Sequence, residues 1–461
     1  MRRLSSFQLS VVLGVLLIVV GTSGPAYAQG YGLYEQGACM MGRAGAGVAA
    51  PCSDGSAIFF NPAGLALDTS AVASLGGTAI SPRGTFTNDQ TGRVSQLSNR
   101  TFFAPTVYAA APWHRAVVGL GLFAPYGLTS EWPTTAEGRF AGYKSSVQSL
   151  WVQPTFAFRA TDRVMIGVGL DITHTSVELK RRLDLSTLPI PGAGGLTFGL
   201  LGVPHGTDFA DVSLTGSGLH AGAHLGFIAK ANDKVSFGGR YLFRQTVSID
   251  NGELTSLQVA TGLRTPVPLP GVPAGTPIDL LLASQFGAGA LLGPQKATTS
   301  LPLPDQLVLG VAYQASKELK LFADYQFTHW SLFKQLVITN AVAPPTVLYG
   351  NWKDTHGIRI GGEYTMANRV VVRAGFDAHT AAEPDESVTP VLPEAPRREV
   401  AAGLGIPIGS LRVDFAYMYV HQNDRAGRSV DTGAVPPTIA LNNGVYHYYA
   451  NLFGVSLVLG F

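Results

Sequence analysis

Charged residues are scarce in this chain: Asp, Glu, Lys and Arg make up 13% of its 461 residues, against roughly 25% in soluble domains. Long apolar runs are scarce as well. Beyond Ala28 no uninterrupted apolar stretch comes near the roughly 18 residues that mark a membrane-spanning helix, although 46% of the residues are hydrophobic. These two absences exclude a helical membrane protein and favour a β-barrel, in which lipid-facing residues come singly along each strand.

The N-terminus has the pattern of an export signal. Arg2 and Arg3 precede an apolar run over residues 11–20, and Ala26-Tyr27-Ala28 places small residues at the two positions that a signal peptidase reads. Residues 1–28 are therefore predicted to be removed as a signal peptide. Removal takes away two of the 32 basic residues and none of the 30 acidic ones, so the mature chain has no net charge. A basic surface for nucleic acid is disfavoured.

Cysteine is nearly absent, since only Cys39 and Cys52 occur. In an exported protein these two can form a disulfide that closes a small loop. The sequence leaves open whether they are paired, because it does not show the distance between their Cα atoms. A metal site is the weaker interpretation, since neither cysteine has a histidine nearby at the spacing of a zinc site. No metal or other cofactor is expected.

Strict alternation of apolar and polar residues marks the strands. One face of the clearest segment carries Val164, Ile166, Val168, Leu170 and Ile172, whereas the other carries Gly167, Gly169, Asp171, Thr173 and Thr175. The same period of two recurs over residues 358–364, 370–377 and 411–419. These runs are longer than the 5 to 6 residues or so of a typical soluble-sandwich strand. They predict a barrel wall that is apolar outside and polar inside.

Short and long connections alternate along the chain. Tight turns are predicted at residues 112–115, 160–163, 231–233, 315–318, 367–369 and 407–410, and long loops at 81–100, 127–143, 183–210, 251–300, 331–350, 380–396 and 422–444. Short turns on one side and long loops on the other are typical of outer-membrane barrels. Six turns and seven loops join fourteen strands, so the sequence predicts an all-β, antiparallel transmembrane barrel of about 14 strands.

The segment before the first strand is rich in glycine and alanine. It contains Gly42-Arg43-Ala44-Gly45-Ala46-Gly47, then Asp54, then Asn61-Pro62-Ala63-Gly64. A phosphate-binding loop is not indicated, because no βαβ unit surrounds the glycines. Together with the export signal and the terminal aromatic residue Phe461, the segment resembles the bacterial outer-membrane transporters of long-chain fatty acids and hydrocarbons, the FadL/TodX family. The resemblance extends over residues 124–132, 303–331, 352–375 and the last strand, 446–461.

This resemblance implies a domain arrangement and a gate. Residues 29–68 would form an N-terminal hatch in the lumen and residues 69–461 the barrel. A barrel of this width needs something to occupy its lumen, since about eight strands is the size that side chains alone can fill. The gate residues that the resemblance implies are Gly42, Arg43, Gly45, Gly47, Asn61, Pro62 and Ala63.

The resemblance also implies a route for hydrophobic substrates. They would enter a groove in the outer loops, move to a pocket above the hatch and leave sideways beside a kinked third strand. That strand would be residues 116–126, with Gly119, Gly121 and Pro125 available to bend it or break its pairing. A positive charge that meets the fatty-acid carboxylate in some members has Lys353 as its best counterpart.

Two long loops are unusually apolar and are the candidates for ligand capture. In the loop at 251–300, Thr276, Pro277 and Asp279 suit the first turn of a helix, and Leu281, Leu282 and Phe286 follow on or near one face. Leu196 and Phe198 lie in the loop at 183–210. Exposed apolar surface of this kind indicates a binding groove. The alternative is that the two loops simply pack on each other.

No enzyme is predicted, because the sequence has no Gly-x-Ser-x-Gly motif and its ten histidines follow no catalytic order. We expect a bacterial outer-membrane transporter for passive, hatch-gated uptake of hydrophobic compounds. The alternatives are a non-specific porin for polar solutes and a structural or adhesive barrel. The expected partners are a hydrophobic small-molecule substrate, outer-membrane lipid and lipopolysaccharide, and the barrel assembly machinery, with no nucleic acid. The protein is expected to be a monomer.

Overall fold

The computed structural model describes residues 30–190, 194–427 and 442–460. The predicted signal peptide, residues 1–28, and the terminal Phe461 lie outside these ranges. Antiparallel strands form one sheet in which each strand pairs with the next, and Val72 to Asn88 of the first strand pair with Gly460 to Gly444 of the last. The sheet is therefore closed, and the predicted barrel of fourteen strands is confirmed.

The barrel strands have the following bounds. The first seven are β1 Val72–Asn88, β2 Phe102–Trp113, β3 Ala116–Glu131, β4 Lys144–Arg159, β5 Val164–Asp184, β6 Asp208–Lys230 and β7, which comprises Val235–Leu242 and Gln245–Gln258. The others are β8, which comprises Gln295–Leu303 and Gln306–Gln314, β9 Leu319–Thr328, β10 Thr355–Thr365, β11 Val371–His379, β12 Arg397–Ile408, β13 Leu411–Gln422 and β14 Gly444–Gly460. Short additional strands cover Val94–Gln96, Gln335–Asn340, Thr346–Tyr349 and Arg425–Gly427.

The helices are short and are not part of the barrel wall. The α-helices are α1 Ala38–Met41, α2 Ala57–Phe60 and α3 Ile278–Leu282. Short 3₁₀-helices cover Pro62–Leu67, Glu137–Phe140, Leu185–Thr187, Phe198–Leu201, Ala283–Phe286, Trp330–Leu332 and Asp385–Ser387. In the described residues, none of these helices has the length and apolar character needed to cross a membrane.

The helix expected after Thr276 differs from its prediction. The structure begins α3 at Ile278 with Pro277 at the cap position and no side-chain cap hydrogen bond. The Thr276 hydroxyl instead donates to the Pro273 carbonyl, 2.8 Å away. The Asp279 carboxylate accepts hydrogen bonds from the backbone and hydroxyl of Thr261. The loop's own polar contacts therefore hold the start of this helix.

The wall alternates as the sequence predicts. On β5 the side chains of Ile166, Val168 and Leu170 are 49%, 44% and 52% exposed, whereas Asp171 and Thr173, which follow them on the opposite face, are fully buried inside the barrel. Among the described residues, none covers the outer apolar face of β5, so lipid is what removes this face from water. The barrel is thus built to lie in a membrane.

We expect Val168→Arg to impair assembly of the barrel, because an arginine on the lipid face near the membrane midplane costs roughly 2 to 4 kcal/mol. Val168→Leu is the matched control and should assemble normally. The measurement is the heat-modifiable gel mobility of the protein in outer-membrane fractions. Equal amounts of folded protein for both variants would contradict the assignment of this face to lipid.

Candidate functional site

The N-terminal segment, residues 30–67, lies inside the ring of strands. The Thr78 hydroxyl of β1 donates to the Glu35 carbonyl, 3.0 Å away. Asp324 of β9 accepts hydrogen bonds from the backbone N–H groups of Gly47 and Val48 at 2.7 and 2.9 Å. Ser456 of β14 accepts one from the Ala38 N–H at 3.1 Å. Inward-facing side chains from both sides of the barrel therefore hold this segment.

The Asn-Pro-Ala element packs directly on the wall. The Asn61 side-chain amide donates to the carbonyls of Val48 and Phe227 at 2.7 and 2.9 Å. A Cβ atom at Gly226 of β6 would lie 2.1 Å from the Asn61 Oδ1 atom, so only glycine lets the segment approach so closely. The predicted gate residues Asn61, Pro62 and Ala63 are all buried.

The glycine-rich stretch makes two tight turns around Arg43. Gly45 and Gly47 have φ angles of 75° and 136°, which favour glycine. The Arg43 side chain is 1% exposed and lies 3.5 Å from the Glu363 carboxylate, with its guanidinium 4.1 Å from the centre of the Phe322 ring. The predicted residues Gly42, Arg43, Gly45 and Gly47 thus contact the wall at β9 to β12 from within.

Cys39 and Cys52 form a disulfide. Both residues are buried, at 2% and 6% exposure, and the bond closes the loop that contains the glycine-rich turns. Residues 30–38 lie outside that loop, between the disulfide and the start of the described chain. The N-terminal segment therefore has a cross-linked body and a separate leading part.

The barrel wall is open between β2 and β3. These strands pair only from Val107 opposite Leu122 to Trp113 opposite Ala116. Above that point residues 102–106 of β2 pair with β1 alone, and β3 changes register against β4 between Phe123 and Tyr126. We call the gap between residues 102–106 and 123–130 the wall opening.

Residues 31–36, the edge segment, take the hydrogen bonds that β2 leaves unmade. Backbone bonds run from the Leu33 N–H to the Pro125 carbonyl at 2.8 Å and from the Gly127 N–H to the Tyr31 carbonyl at 3.0 Å. The Gln36 amide bonds both the carbonyl and the N–H of Ala124, at 2.8 and 3.1 Å. The edge segment therefore acts as a short inner strand along β3.

Gln36 also reaches the other side of the wall opening. Its backbone carbonyl accepts a hydrogen bond from the Tyr108 hydroxyl of β2 at 2.9 Å, while its side chain holds Ala124 of β3. The residue is fully buried. One glutamine thus bridges the two strands that the wall no longer joins.

A cavity of about 1100 Å³ lies between the outer loops and the N-terminal segment. Its wall is mostly apolar, with side chains from β4 to β8: Val147, Val177, Leu179, Leu214, Ile249 and Leu301. Tyr31 of the edge segment also lines it. A cavity of this size and character suits a hydrophobic small molecule.

The lower boundary of the cavity is aromatic. The Tyr31 ring lies 4.7 Å from Trp330 and 5.9 Å from Tyr126 between ring centres, and Trp330 lies 5.0 Å from Trp352. From Tyr126 the rings continue through Trp151 to Phe123 beside the wall opening, at 5.9 and 6.2 Å. A line of packed, buried aromatic side chains therefore runs from the cavity to the opening.

Arg181 of β5 is a cation in the cavity wall. In the part of the chain that the structure describes, no acidic side chain lies within ion-pair distance of its guanidinium, although Arg182 beside it is 3.4 Å from Asp211. The other charged lining residues are Asp184, which accepts the N–H groups of Ser186 and Gly206, and Glu383. An unpaired guanidinium in an apolar cavity is a ready site for an anionic group.

The outer loop at residues 380–396 contacts the start of the edge segment. The Glu394 carboxylate accepts hydrogen bonds from the backbone N–H groups of Gly30, Ala382 and Glu383. Burial raises the pKa of both Glu394 and Glu383, and the charge of Glu394 raises the Glu383 pKa further. This carboxyl pair therefore holds a proton more readily than two exposed carboxyl groups would.

The outer-loop residues predicted to bind ligand do not line the large cavity. Leu282 and Phe198 are buried at 1% and 0% exposure in one core formed by the two loops, with Phe286 packed against it. Leu281 is half-buried and Leu196 is 46% exposed. None of the five lines the large cavity. The structure thus brings the two loops together, as the alternative interpretation held.

The predicted partner of a substrate carboxylate, Lys353, is exposed and is not among the cavity-lining residues.

The two glycines predicted to bend β3 do not bend it. Gly119 and Gly121 pair regularly with Ala110 and Tyr108. Added Cβ atoms at these two positions would meet Leu65 and Ile58 of the N-terminal segment at 2.8 Å. The irregularity lies at Ala124 and Pro125.

One group of side chains has the composition of a metal site. Ligand atoms of Asp377, His379 and Glu399 lie within 4.8 Å of one another in the lumen. Arg359 occupies the same space, with its guanidinium 3.1 Å from Asp377 and 3.2 Å from His379. A guanidinium already supplies the positive charge there, so the group is an ion-pair network.

Sequence reasoning missed Arg181 and Gln36. Arg181 could have been found, because it continues the inward face that Asp171, Thr173 and Thr175 begin on β5. Gln36 gives no such signal, since its role depends on a distant strand with an unpaired edge.

The comparisons with known proteins agree with this geometry. The family described as outer membrane protein transport protein (OMPP1/FadL/TodX) matches residues 19–461. The long-chain fatty acid transport protein of Escherichia coli O6:H1 is 22% identical over 422 residues, covering 89% of this chain and 90% of that protein.

Two solved structures show the same fold. A Pseudomonas aeruginosa FadL homologue superposes with a TM-score of 0.75 at 19% identity, covering 95% of this chain and 99% of its own. The P. putida toluene transporter TodX gives 0.69 at 18% identity, with 94% and 99% covered. The family match spans nearly the whole chain, and the chain therefore belongs to the OMPP1/FadL/TodX family of bacterial outer-membrane transport proteins.

Proposed function

We propose that this protein admits hydrophobic compounds passively through the outer membrane, by capture in the large cavity and release sideways through the wall opening. The observation that carries the proposal is the edge segment, which lines the cavity with Tyr31 and closes the opening with Leu33 and Gln36. A compound in the cavity thus lies against the residues whose displacement would let it leave.

Arg181 favours substrates with an acidic end. The walls beside it accept an aliphatic or aromatic body, and the guanidinium can bond a carboxylate through two N–H groups. Long-chain fatty acids have both parts. A neutral hydrocarbon such as toluene can use the same cavity without the arginine, so the two substrate classes differ in their need for this residue.

The edge segment is suited to be the moving part. It lies outside the loop that the Cys39–Cys52 disulfide closes, and a few hydrogen bonds hold it to β3. The body of the N-terminal segment, by contrast, is held by the disulfide and by wall contacts at Asp324 and Asn61. We propose that the body blocks the lumen to polar solutes and that the edge segment alone opens.

A non-specific porin is the competing function. Such a barrel needs an open aqueous passage, and in the described residues the lumen contains a buried segment with an apolar cavity above it. Uptake of oleate, toluene and a small sugar into a strain that lacks its own transporters would separate the two functions. Uptake of the sugar at a rate similar to that of oleate would favour a porin.

We expect Arg181→Gln to lower oleate uptake about tenfold or more, because hydrogen bonds to charged groups contribute roughly 1.5 to 3 kcal/mol. Toluene uptake should be nearly unchanged. Lys353→Gln is the matched control, since it removes the cation that the sequence favoured, and it should leave both rates as in the wild type. Loss of oleate uptake in Lys353→Gln alone would reverse the assignment.

Gln36→Ala should speed release through the wall opening. The substitution removes two hydrogen bonds to Ala124, each contributing about 1 kcal/mol, so the open population should rise roughly ten- to thirtyfold. The readout is initial uptake rate at saturating oleate. Gln148→Ala, on the exposed outer face of β4, is the control. An unchanged rate for Gln36→Ala would show that this contact does not limit release.

Deleting residues 36–54 should convert a nearly silent barrel into a conducting pore, because it removes Gln36 and the disulfide-closed loop of the N-terminal segment and leaves every strand. Single-channel current in planar bilayers is the measurement. The Gln36→Ala protein serves as the comparison and should remain as silent as the wild type. If the deletion variant also stays silent, the proposed plug does not block the lumen.

A further inference from the structure

Strands β6 and β7 do not pair over the middle of their length. One ladder ends where His224 lies opposite Leu242. A second ladder begins where Thr215 lies opposite Glu253. Between the two ladders the strands do not pair residue for residue. We call the intervening stretches the strand gap: residues 216–223 of β6 and residues 243–252 of β7.

Within the strand gap, β7 lies against the inner face of β6 instead of beside it. A Cβ atom at Gly218 would lie 2.3 Å from the Ser248 carbonyl oxygen. One at Gly216 would lie 2.4 Å from the Ile249 Cγ2 atom. Only glycine at these two positions leaves room for such contacts. The wall here is an overlap of two strands rather than a continuous ladder.

Side chains replace ladder bonds across the strand gap. The Ser248 N–H of β7 donates to the Nε2 atom of His220 on β6 at 2.8 Å. The Asn251 side-chain carbonyl of β7 accepts a hydrogen bond from the Ser217 N–H of β6 at 3.2 Å. A bond made by a single side chain can break when that side chain changes rotamer, which is a fast motion for exposed residues. The two strands are therefore held more loosely here than in either ladder.

The large cavity lies directly behind the strand gap. Ile249, which covers Gly216 from the inside, is one of the residues that line the cavity. Leu214, next to the upper end of the gap, lines it as well. Because Gly216 has no side chain, Ile249 is what separates the cavity from the outside of the barrel at this point.

The strand gap crosses the outer margin of the apolar band. On the outer face of β6, Leu225 and Leu219 are 43% and 68% exposed. The next outward positions along the strand are polar, Ser217 and Thr215. An apolar molecule in the outer leaflet thus reaches the lower part of the gap. At this margin water and head groups can bond backbone groups that lack a ladder partner, as hydrocarbon could not.

We propose that the strand gap is a side passage through which hydrophobic molecules dissolved in the outer leaflet enter the large cavity. The inference rests on the proposed function, since it takes this cavity as the ligand site. Entry requires β7 to move off the two glycines, which breaks the bonds of His220 and Asn251 and displaces Ile249. The passage differs from the wall opening in its strands and in its direction, since it loads the cavity. Molecules with an apolar chain and one polar end suit it, because the gap spans an apolar and a polar zone.

The test follows a dibrominated fatty acid, which quenches tryptophan fluorescence, into full-length barrels held in lipid nanodiscs. Trp113→Phe is the background, because Trp113 is 66% exposed and the other four tryptophans are buried. In this background, Ser217→Cys with Asn251→Cys lets a short thiol-bridging reagent close the strand gap. Ser213→Cys with Thr255→Cys is the matched control, since these residues pair in the upper ladder. No other thiol reacts, because the two native cysteines are paired.

Bridging the strand gap should slow quenching about fivefold or more relative to the same protein before bridging. Bridging the control pair should leave the rate unchanged. Equal rates before and after bridging of the gap would overturn the inference and leave the proposed function standing, because the fatty acid would still reach the cavity. Absence of quenching in the background protein would instead contradict the proposed function and, with it, the inference.

Heat-modifiable gel mobility checks that each variant is folded. If the double-cysteine protein does not fold, Asn251→Ala gives the answer, because it removes one bond across the gap without adding a thiol. This variant should load the cavity about fivefold faster, the change expected for the loss of one hydrogen bond. Thr255→Ala is its control and should load at the background rate. An unchanged rate for folded Asn251→Ala would also contradict the passage.

Discussion

The backbone of β3 must be hydrogen-bonded where β2 no longer pairs with it, and the rest of the structure depends on this constraint. A barrel wall in a membrane cannot leave backbone groups unpaired, because each one costs several kcal/mol in hydrocarbon. β2 leaves β3 beyond Leu122, and the chain supplies replacement partners from within, through Tyr31, Leu33 and Gln36. The wall opening can therefore exist only while the N-terminal segment is in place or while a substrate or lipid takes over its contacts.

Polar contacts hold the N-terminal segment in the barrel lumen. Asp324 and Asn61 bond backbone groups of the N-terminal segment or of the wall, which fixes its position more narrowly than apolar packing would. Arg43 and Arg359 are almost completely buried among carboxylates and aromatic rings. In the proposed mechanism, the polar lower lumen blocks the passage of water, and the apolar cavity above it holds a hydrophobic molecule.

Much of the fold could be predicted from the sequence because its signals are local. Alternation along residues 164–172 places each side chain without knowledge of its neighbours, and turn residues mark where strands end. The candidate functional site was harder to predict from the sequence. Leu282 and Phe198 look like ligand contacts in the sequence, yet they meet each other, since an apolar loop residue does not reveal what it packs against. Arg181 and Gln36 depend on which strands lie across the lumen, which only the closed barrel determines.

The burial of the disulfide has a consequence for biogenesis. Cys39 and Cys52 are 2% and 6% exposed and are enclosed by wall residues from several strands, so no thiol oxidoreductase could reach them in the finished barrel. Oxidation must then precede closure of β1 on β14, while the polypeptide is still in the periplasm. The chain would thus reach the outer membrane with its plug already cross-linked, and the strands would close around a preformed insert.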